Sequence, residues 1–161
     1  MPVSTKSKTK RKSGRPRDER VRHIIEIVDW TWDLMFGLGH GKFSKGPYED
    51  FRHINIVGKL LRPTNLSPAS AEVMLFPYHH LVESEWKSTD KPKCVGWVTH
   101  RGKQYSANLL LPSDAMGPVL QMLIAGKYKY VFFEAEKSFR GEAGIRYYRF
   151  SGTVEEDELS D

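Results

Sequence analysis

The segment CVGWVTHRGKQYSANLLL, residues 94–111, gives the clearest indication of the fold. It contains two runs in which apolar and polar residues alternate, and Arg101-Gly102 separates the runs. Alternation with a period of two is typical of a strand that is buried on one face, and a two-residue connection with glycine is typical of an antiparallel hairpin. The sequence therefore predicts a β-hairpin at residues 94–111.

The sequence on both sides of this hairpin predicts further strands and one helix. Similar patterns predict strands at residues 52–61, 72–77, 128–136 and 145–153. Ser113 can cap a helix that runs to Ala125, and Gly126 can end it in a left-handed conformation. No strand alternates with a crossover helix, so we expect an antiparallel sheet. The predicted fold class is mainly β (α+β), an antiparallel β-sandwich or open barrel of about six strands, with helix 113–125 covering one opening.

The start of the folded region predicts a second helix, at residues 18–37. Asp18 can cap it, and apolar residues recur at helical spacing: Ile24, Ile25, Val28, Trp32, Met35 and Phe36. Trp30 widens the apolar surface beyond one packing stripe. Trp30, Trp32 and Phe36 are therefore the candidate surface for a protein partner or a second copy of the chain.

Charge divides the 161 residues, which have a net charge of +5, into three parts. Residues 1–22 contain nine basic and two acidic residues, whereas residues 155–161 contain five acidic and no basic ones. Residues 1–17 have too few apolar side chains to offset the entropy of ordering. We expect a disordered basic leader at 1–17, a single β-rich domain at 18–154 and an acidic tail at 155–161.

The most specific motif is KRKSGRPR, residues 10–17 in the basic leader. Proline keeps such a segment extended and glycine permits close approach, while arginines favour the negative potential of a narrow minor groove. The motif resembles an AT-hook, and this resemblance implies contact with the minor groove of A·T-rich DNA. The candidate nucleic-acid-binding residues are Lys10, Arg11, Lys12, Arg15 and Arg17. A leader of this charge also binds other polyanions through counterion release, or serves only as a solubilising tail.

A histidine-rich segment offers a candidate enzyme site. If residues 79–83 are helical, His79 and Glu83 share a face next to His80, and this spacing suits a metal or an acid–base pair. A third ligand would have to come from His53 or His100. The alternative is a loop with surface histidines, so no catalytic residue, metal or cofactor is predicted.

The last hairpin and the acidic tail each have two interpretations. Aromatic and basic residues on strands 128–136 and 145–153 could form a platform for stacked bases: Tyr128, Tyr130, Phe132, Arg146, Tyr147 and Arg149. The alternative is that they form core contacts and cross-strand pairs. The acidic tail is either a solvated terminus or a competitor of nucleic acid for the basic leader.

These patterns favour a non-enzymatic binding protein. The single cysteine, Cys94, cannot form an internal disulfide, and the longest apolar stretch is too short for a membrane span, so we expect an intracellular, cytoplasmic protein without a membrane anchor. The basic leader is expected to contact nucleic acid, DNA in the first place, while the β domain recognises another ligand. The alternative function is a protein–protein interaction module, such as an adaptor, immunity or accessory factor, whose basic tail is incidental.

Overall fold

The computed structural model of the protein describes residues 19–39, 46–78 and 92–160. The strands are β1 Arg20–Leu38, β2 Tyr48–Arg62, β3 Ser70–Tyr78, β4 Gly96–Arg101, β5 Gln104–Pro112, β6 Tyr130–Glu136 and β7 Glu142–Ser151. The helices are α1 Met116–Ile124, which follows a 3₁₀ turn at Ser113–Ala115, and α2 Glu156–Leu159. The predictions of a mainly β chain and of a helix after Ser113 are confirmed.

The strands are hydrogen-bonded in the order β1-β2-β3-β5-β4-β7-β6, and β6 pairs with β1, so that the sheet closes as a barrel. All these pairs are antiparallel except β3 with β5, which run parallel. The hairpin predicted at residues 94–111 is β4–β5, and its turn contains Gly102 with a φ of +59°. Glycine adopts this left-handed conformation without steric cost, as a two-residue turn requires.

The predicted N-terminal helix at residues 18–37 is wrong: from Arg20 onward these residues form β1. Ile25 packs in the barrel core, while its neighbour Ile24 is buried on the opposite face, across from Phe132 of β6. Apolar residues on both faces of a strand imitate the spacing of an amphipathic helix. The β-branched residues of this segment favour a strand, and pairing with both β2 and β6 determines the outcome.

The barrel interior is filled by inward-facing apolar side chains. Those that are completely buried include Ile25, Ile54, Ile56, Val73, Leu75, Leu109, Val131 and Ile145. Burial of each such side chain contributes roughly 1.5–3 kcal/mol relative to exposure. Helix α1 adds Met116, Val119 and Leu123 to the same core. The helix therefore belongs to the barrel and contributes to its stability.

Strands β1 and β2 continue past the body of the barrel. β1 pairs with β6 only over residues 20–26, and β2 pairs with β3 only over residues 54–58. The β1–β2 pairing nevertheless continues as far as Leu38 and Tyr48. We call residues 29–38 of β1 and 48–53 of β2 the projecting hairpin.

Candidate functional site

The projecting hairpin carries a row of large apolar side chains on one face. Alternation along β1 places Trp30, Trp32, Leu34, Phe36 and Leu38 on this face, which continues the inward face of the barrel. Trp32 is 43% exposed and Phe36 is 69% exposed, whereas Trp30 is half-buried against the core. The Phe36 ring stacks on Tyr48 of β2 with ring centroids 5.7 Å apart. The three residues predicted as a partner surface thus lie together, on a strand and not on a helix.

The opposite face of the projecting hairpin carries two large apolar side chains among polar and acidic ones. Met35 lies across from Phe51, and both are exposed. The Phe51 ring lies 5.1 Å from His53, and Phe76 of β3 lies 6.3 Å from each of these rings. His53 Nε2 lies 3.4 Å from a carboxylate oxygen of Asp33. His53 is therefore part of an aromatic cluster on the projecting hairpin.

Backbone edges are the third feature of the projecting hairpin. Among the residues that the structure describes, β1 has no strand partner other than β2 from residue 29 to residue 37. Within the same described ranges, residues 49–53 of β2 pair with β1 alone. An unpaired edge presents a row of N–H and C=O groups that another strand can bind. The hairpin thus combines apolar side chains with open strand edges.

A cavity of about 450 Å³ lies at one end of the barrel. It is lined by the start of β1, by β4 and β5 close to the turn that joins them, by the connection between β6 and β7, and by the residues that follow β2. Val21, Pro63, Leu66, Val98 and Ala143 supply apolar wall. His23, His100 and Tyr105 supply rings with polar atoms. Cavities of this size at barrel mouths are common sites for small ligands.

His23 and Tyr105 form a hydrogen-bonded pair in this cavity. The Tyr105 hydroxyl lies 2.7 Å from His23 Nδ1, and the His23 ring stacks on Phe133 with centroids 4.6 Å apart. Burial lowers the pKa of His23 to about 4 and raises the pKa of Tyr105 above its ordinary value. Both groups are therefore uncharged at neutral pH, and the tautomer of His23 determines which of the two donates the hydrogen bond.

His100 supplies an unsatisfied polar atom. Its ring lies 6.3 Å from that of Tyr105, and its Nε2 is buried without a hydrogen-bond partner. Charged groups at the rim have partners, since Lys137 Nζ donates to Glu19 at 2.9 Å and Arg146 Nε donates to Glu136 at 2.8 Å. The interior of the cavity thus offers apolar walls and neutral hydrogen-bonding groups.

The outer face of β6 and β7 is covered at Phe132 but exposed at Tyr147, which is 51% exposed. Phe132 is buried, and the Arg149 guanidinium lies 4.0 Å above its ring. Glu158 of α2 accepts a hydrogen bond from Arg149. Tyr128 stacks on Phe150 and packs against the core. Phe132 and Tyr128 are thus involved in packing contacts, as the second interpretation expects, whereas Tyr147 and Arg149 remain candidates for contact with a ligand.

The acidic tail forms the short helix α2 on this face. Glu155 and Glu158 form a reciprocal capping box at the start of the helix. With its ion pair to Arg149, the tail lies against the barrel at least as far as Ser160. Its docked part therefore acts as a cover over Phe132.

Several residues singled out from the sequence lie outside the described residues. These are Lys10, Arg11, Lys12, Arg15 and Arg17 of the basic leader, and His79, His80 and Glu83. His53 and His100, the two candidate third ligands, occupy the projecting hairpin and the cavity respectively. In the described part of the chain, no group of three or more His, Cys, Asp or Glu side chains could hold a metal ion.

Comparison with known proteins adds no functional assignment. No protein-family model, curated protein or solved structure matches the chain. Across residues 19–39, 46–78 and 92–160, no helix is long and apolar enough to cross a membrane.

Sequence reasoning missed the cavity residues His23 and Tyr105. The sequence places His23 in the predicted helix at residues 18–37, and its neighbours there do not indicate that its side chain is buried. The signal that could have identified it is its place two residues before Ile25, on the inward face of a strand. Tyr105 and His100 occupy opposite positions next to the predicted turn, so their proximity followed from the hairpin register.

Proposed function

We propose that this protein is a non-enzymatic binding protein that associates with a second copy of itself through the projecting hairpin. The observation that carries this proposal is the exposure of the apolar side chains around Trp32 and Phe36. Water contact with a contiguous apolar patch is unfavourable, and patches of this kind mark interaction sites in soluble proteins. A partner that covers the patch gains the corresponding hydrophobic free energy.

The open edges favour a partner that brings a strand. A second copy presents an identical edge on β1, and two such edges can pair antiparallel about a twofold axis. The resulting four-stranded ribbon would satisfy backbone groups on both copies. A partner without an exposed strand would leave these edges open.

The size of the patch fits a stable dimer. On the face that carries Trp32, the large exposed side chains are Trp32, Leu34, Phe36, Leu38 and Tyr48. With large apolar side chains of roughly 150–250 Å² each, the exposed fractions on this face sum to roughly 600 Å² per copy, which is the lower end of a standard interface.

On the face of the projecting hairpin that carries Leu34 and Phe36, the charges do not oppose self-association. The face that carries Leu34 and Phe36 contains one cation and one anion, Arg52 and Asp50, whose side chains are 2.9 Å apart. This balanced pair selects neither a strongly acidic nor a strongly basic partner. In a twofold contact, each copy can offer its cation to the anion of the other.

Sedimentation equilibrium of the full chain tests the association. We expect the wild type to dimerise with an affinity in the micromolar range, and Trp32→Glu to be monomeric at the same concentrations. Trp97→Glu is the matched control, because Trp97 of β4 is 44% exposed, almost as much as Trp32, but lies away from the hairpin. Folding of each variant is checked by circular dichroism.

A monomeric wild type would overturn this proposal. An equal loss of association in both tryptophan variants would also overturn it, because the contact would then not be specific to the hairpin.

We propose, as a second function, that the basic leader contacts nucleic acid. The supporting observation is the nine basic residues among residues 1–22, including the segment KRKSGRPR. Two of these nine, Arg20 and Arg22, lie at the start of β1, where they line a surface pocket together with Arg62 and three acidic residues, Glu134, Asp157 and Glu158. A dimer would present two leaders, and such bivalency raises affinity without any new contact.

Binding to duplexes at several salt concentrations tests this second function. We expect Arg15→Ala/Arg17→Ala to weaken binding and to reduce the salt slope by about 2, since each phosphate contact contributes about 0.9 to the slope. Lys103→Ala/Lys127→Ala removes the same charge from exposed positions on the barrel and should leave the slope unchanged. A preference for A·T-rich over G·C-rich duplex would support the AT-hook resemblance, whereas equal effects of the two double variants would contradict a role for the leader.

A further inference from the structure

The acidic tail lies on a part of the barrel surface that is rich in arginine. Arg20 and Arg22 of β1 and Arg62 of β2 line a surface pocket of about 540 Å³, to which the tail contributes Asp157 and Glu158. A smaller pocket of about 110 Å³ adjoins it, since Arg22 and Glu158 line both pockets. The tail therefore brings carboxylates to arginines that come from separate strands.

The strand register places a ring and a further cation on the same face of the sheet. Arg22 lies across from Glu134 of β6, and Glu134 lies across from Tyr147 of β7, which is 51% exposed. Two residues from these positions, Phe132 lies across from Arg149. Alternation along the strands keeps all these side chains on the outer face. We call the following residues the tail-covered surface: Arg20, Arg22, Arg62, Phe132, Tyr147 and Arg149.

The contact between the tail and this surface is electrostatic. No residue of α2 is buried, and its ion pair joins Arg149 and Glu158, whose side chains are 37% and 21% exposed. Partly exposed ion pairs contribute little to stability, and a single helical turn is not stable by itself. The tail can therefore leave the surface while the barrel stays folded.

Without the tail, the surface is strongly basic. The described residues that line the two pockets then include four arginines and one carboxylate, that of Glu134. The Arg149 guanidinium, 4.0 Å above the Phe132 ring, loses the carboxylate of Glu158 as its partner. A planar guanidinium can bind a phosphate through two hydrogen bonds. The uncovered surface therefore suits an anion that carries several phosphates.

Two observations favour a nucleic acid as that anion. The exposed ring of Tyr147 lies beside the arginines, and such a ring can stack on a base that is not paired in a duplex. The basic leader also precedes this surface directly in sequence, because three residues separate Arg17 from Arg20 and span at most about 11 Å. A strand bound by the leader is thus within reach of the surface.

We propose that the tail-covered surface binds single-stranded nucleic acid and that the acidic tail competes for the same arginines. Phosphates contact Arg20, Arg22 and Arg149, and a base stacks on Tyr147. This inference rests on the proposed binding of nucleic acid and assigns a second contact site, on the barrel. The tail opposes weak anions and yields to a strand with enough phosphates to displace it.

Fluorescence anisotropy of the full chain with a labelled oligothymidine of about 12 nucleotides tests the competition. Asp157→Asn/Glu158→Gln removes two tail carboxylates from the surface, and we expect it to tighten binding at least about threefold. Glu72→Gln/Asp114→Asn removes the same charge from exposed positions elsewhere on the barrel and should change the affinity less than about twofold. Circular dichroism checks that each variant is folded.

Variants of Tyr147 test the stacked contact. Tyr147→Ala should weaken binding of the oligothymidine at least about fivefold, because the ring on which a base stacks is lost. Binding of a duplex should not change, since the bases of a duplex are already stacked on each other. Tyr147→Phe keeps the ring and should bind like the wild type.

Equal effects of the two charge variants would overturn the proposal, because the tail would then act only through net charge. Unchanged binding of the oligothymidine in Tyr147→Ala would overturn it as well. Equally tight binding of a polyglutamate chain would indicate a general anion surface and contradict a nucleic-acid site. Absence of binding in both the wild type and Asp157→Asn/Glu158→Gln would also overturn it.

Arg15→Ala/Arg17→Ala separates this inference from the function of the leader. If this variant alone weakens binding of the oligothymidine, the leader binds nucleic acid and the surface proposal is wrong. If only the tail and Tyr147 variants have their expected effects, the surface binds nucleic acid and the leader does not.

Discussion

The barrel and the projecting hairpin are built from the same two strands but differ in what covers them. In the barrel half, β1 has β2 on one side and β6 on the other, and Ile25 is completely buried. In the projecting half, the same strand keeps only β2 among the described residues, and Phe36 is 69% exposed. Large apolar side chains continue along β1 into the projecting hairpin, but the barrel no longer buries them there. The hydrophobic side chains of the projecting hairpin therefore contribute little to the stability of the fold and are available for association.

Matched truncations on β1 give the largest expected contrast. Ile25→Ala creates a cavity in the core and should lower the free energy of unfolding by about 2–5 kcal/mol. Leu34 lies on the projecting half and is 55% exposed. Leu34→Ala should therefore change the free energy of unfolding by less than about 0.5 kcal/mol when the protein is dilute and monomeric. Urea denaturation at low protein concentration measures both. Similar losses at the two positions would show that the hairpin is covered by the chain itself.

Acidification affects the barrel through His23. Its pKa is about 4 in the fold and near 6.5 when unfolded, so the unfolded state binds more protons between these pH values. The free energy of unfolding is therefore unaffected by His23 above pH 6.5. It falls as the pH is lowered towards 4, by at most about 3 kcal/mol.

Urea denaturation at several pH values measures this effect, with His23→Gln as the comparison. The variant lacks the titrating imidazole, so its unfolding free energy should fall less steeply over the same pH range. If both proteins lose stability in parallel, His23 is not held in its neutral form by burial.

Two glycines provide the smallest contrast. A Cβ at Gly58 of the barrel would overlap the carbonyl oxygen of Glu26 and the side chain of Ile25. Gly58→Ala should therefore destabilise the protein by about 1–3 kcal/mol. At Gly37 in the hairpin, no atom of the described residues beyond its two chain neighbours lies within 4 Å of the corresponding position, so Gly37→Ala should be neutral or stabilise by up to about 1 kcal/mol. Thermal unfolding of the two variants measures both changes in stability. Equal changes would contradict the difference between a tightly packed barrel and an open hairpin.

Much of the barrel was predictable because its strands alternate locally. The β4–β5 hairpin, with Gly102 in its turn, and the strands around it follow from period-two patterns and turn chemistry. β1 was mistaken for a helix because Ile24 and Ile25 are both buried, on opposite faces, and the strands that cover them come from distant parts of the chain. Local spacing contains no information about such long-range pairing.

The candidate sites were predictable to a smaller extent. Trp30, Trp32 and Phe36 could be identified as an apolar surface because the segment contains more apolar residues than one packing face needs. The cavity could not be identified, since it requires β1, β4, β5 and the β6–β7 connection to meet at one end of a closed sheet. His23 and Tyr105 are 82 residues apart in the chain, and only this closure makes them neighbours.

Amide hydrogen exchange of the full chain, measured as a function of protein concentration, tests the central claim most directly. Association of two copies through the hairpin predicts that amides in residues 29–37 which face away from β2 are protected at high concentration and exchange rapidly on dilution. Amides of β6 in the barrel should exchange at rates that do not depend on concentration. Rapid exchange along the edge of the hairpin at every concentration would contradict self-association, and concentration-independent protection there would show that another part of the same chain covers it.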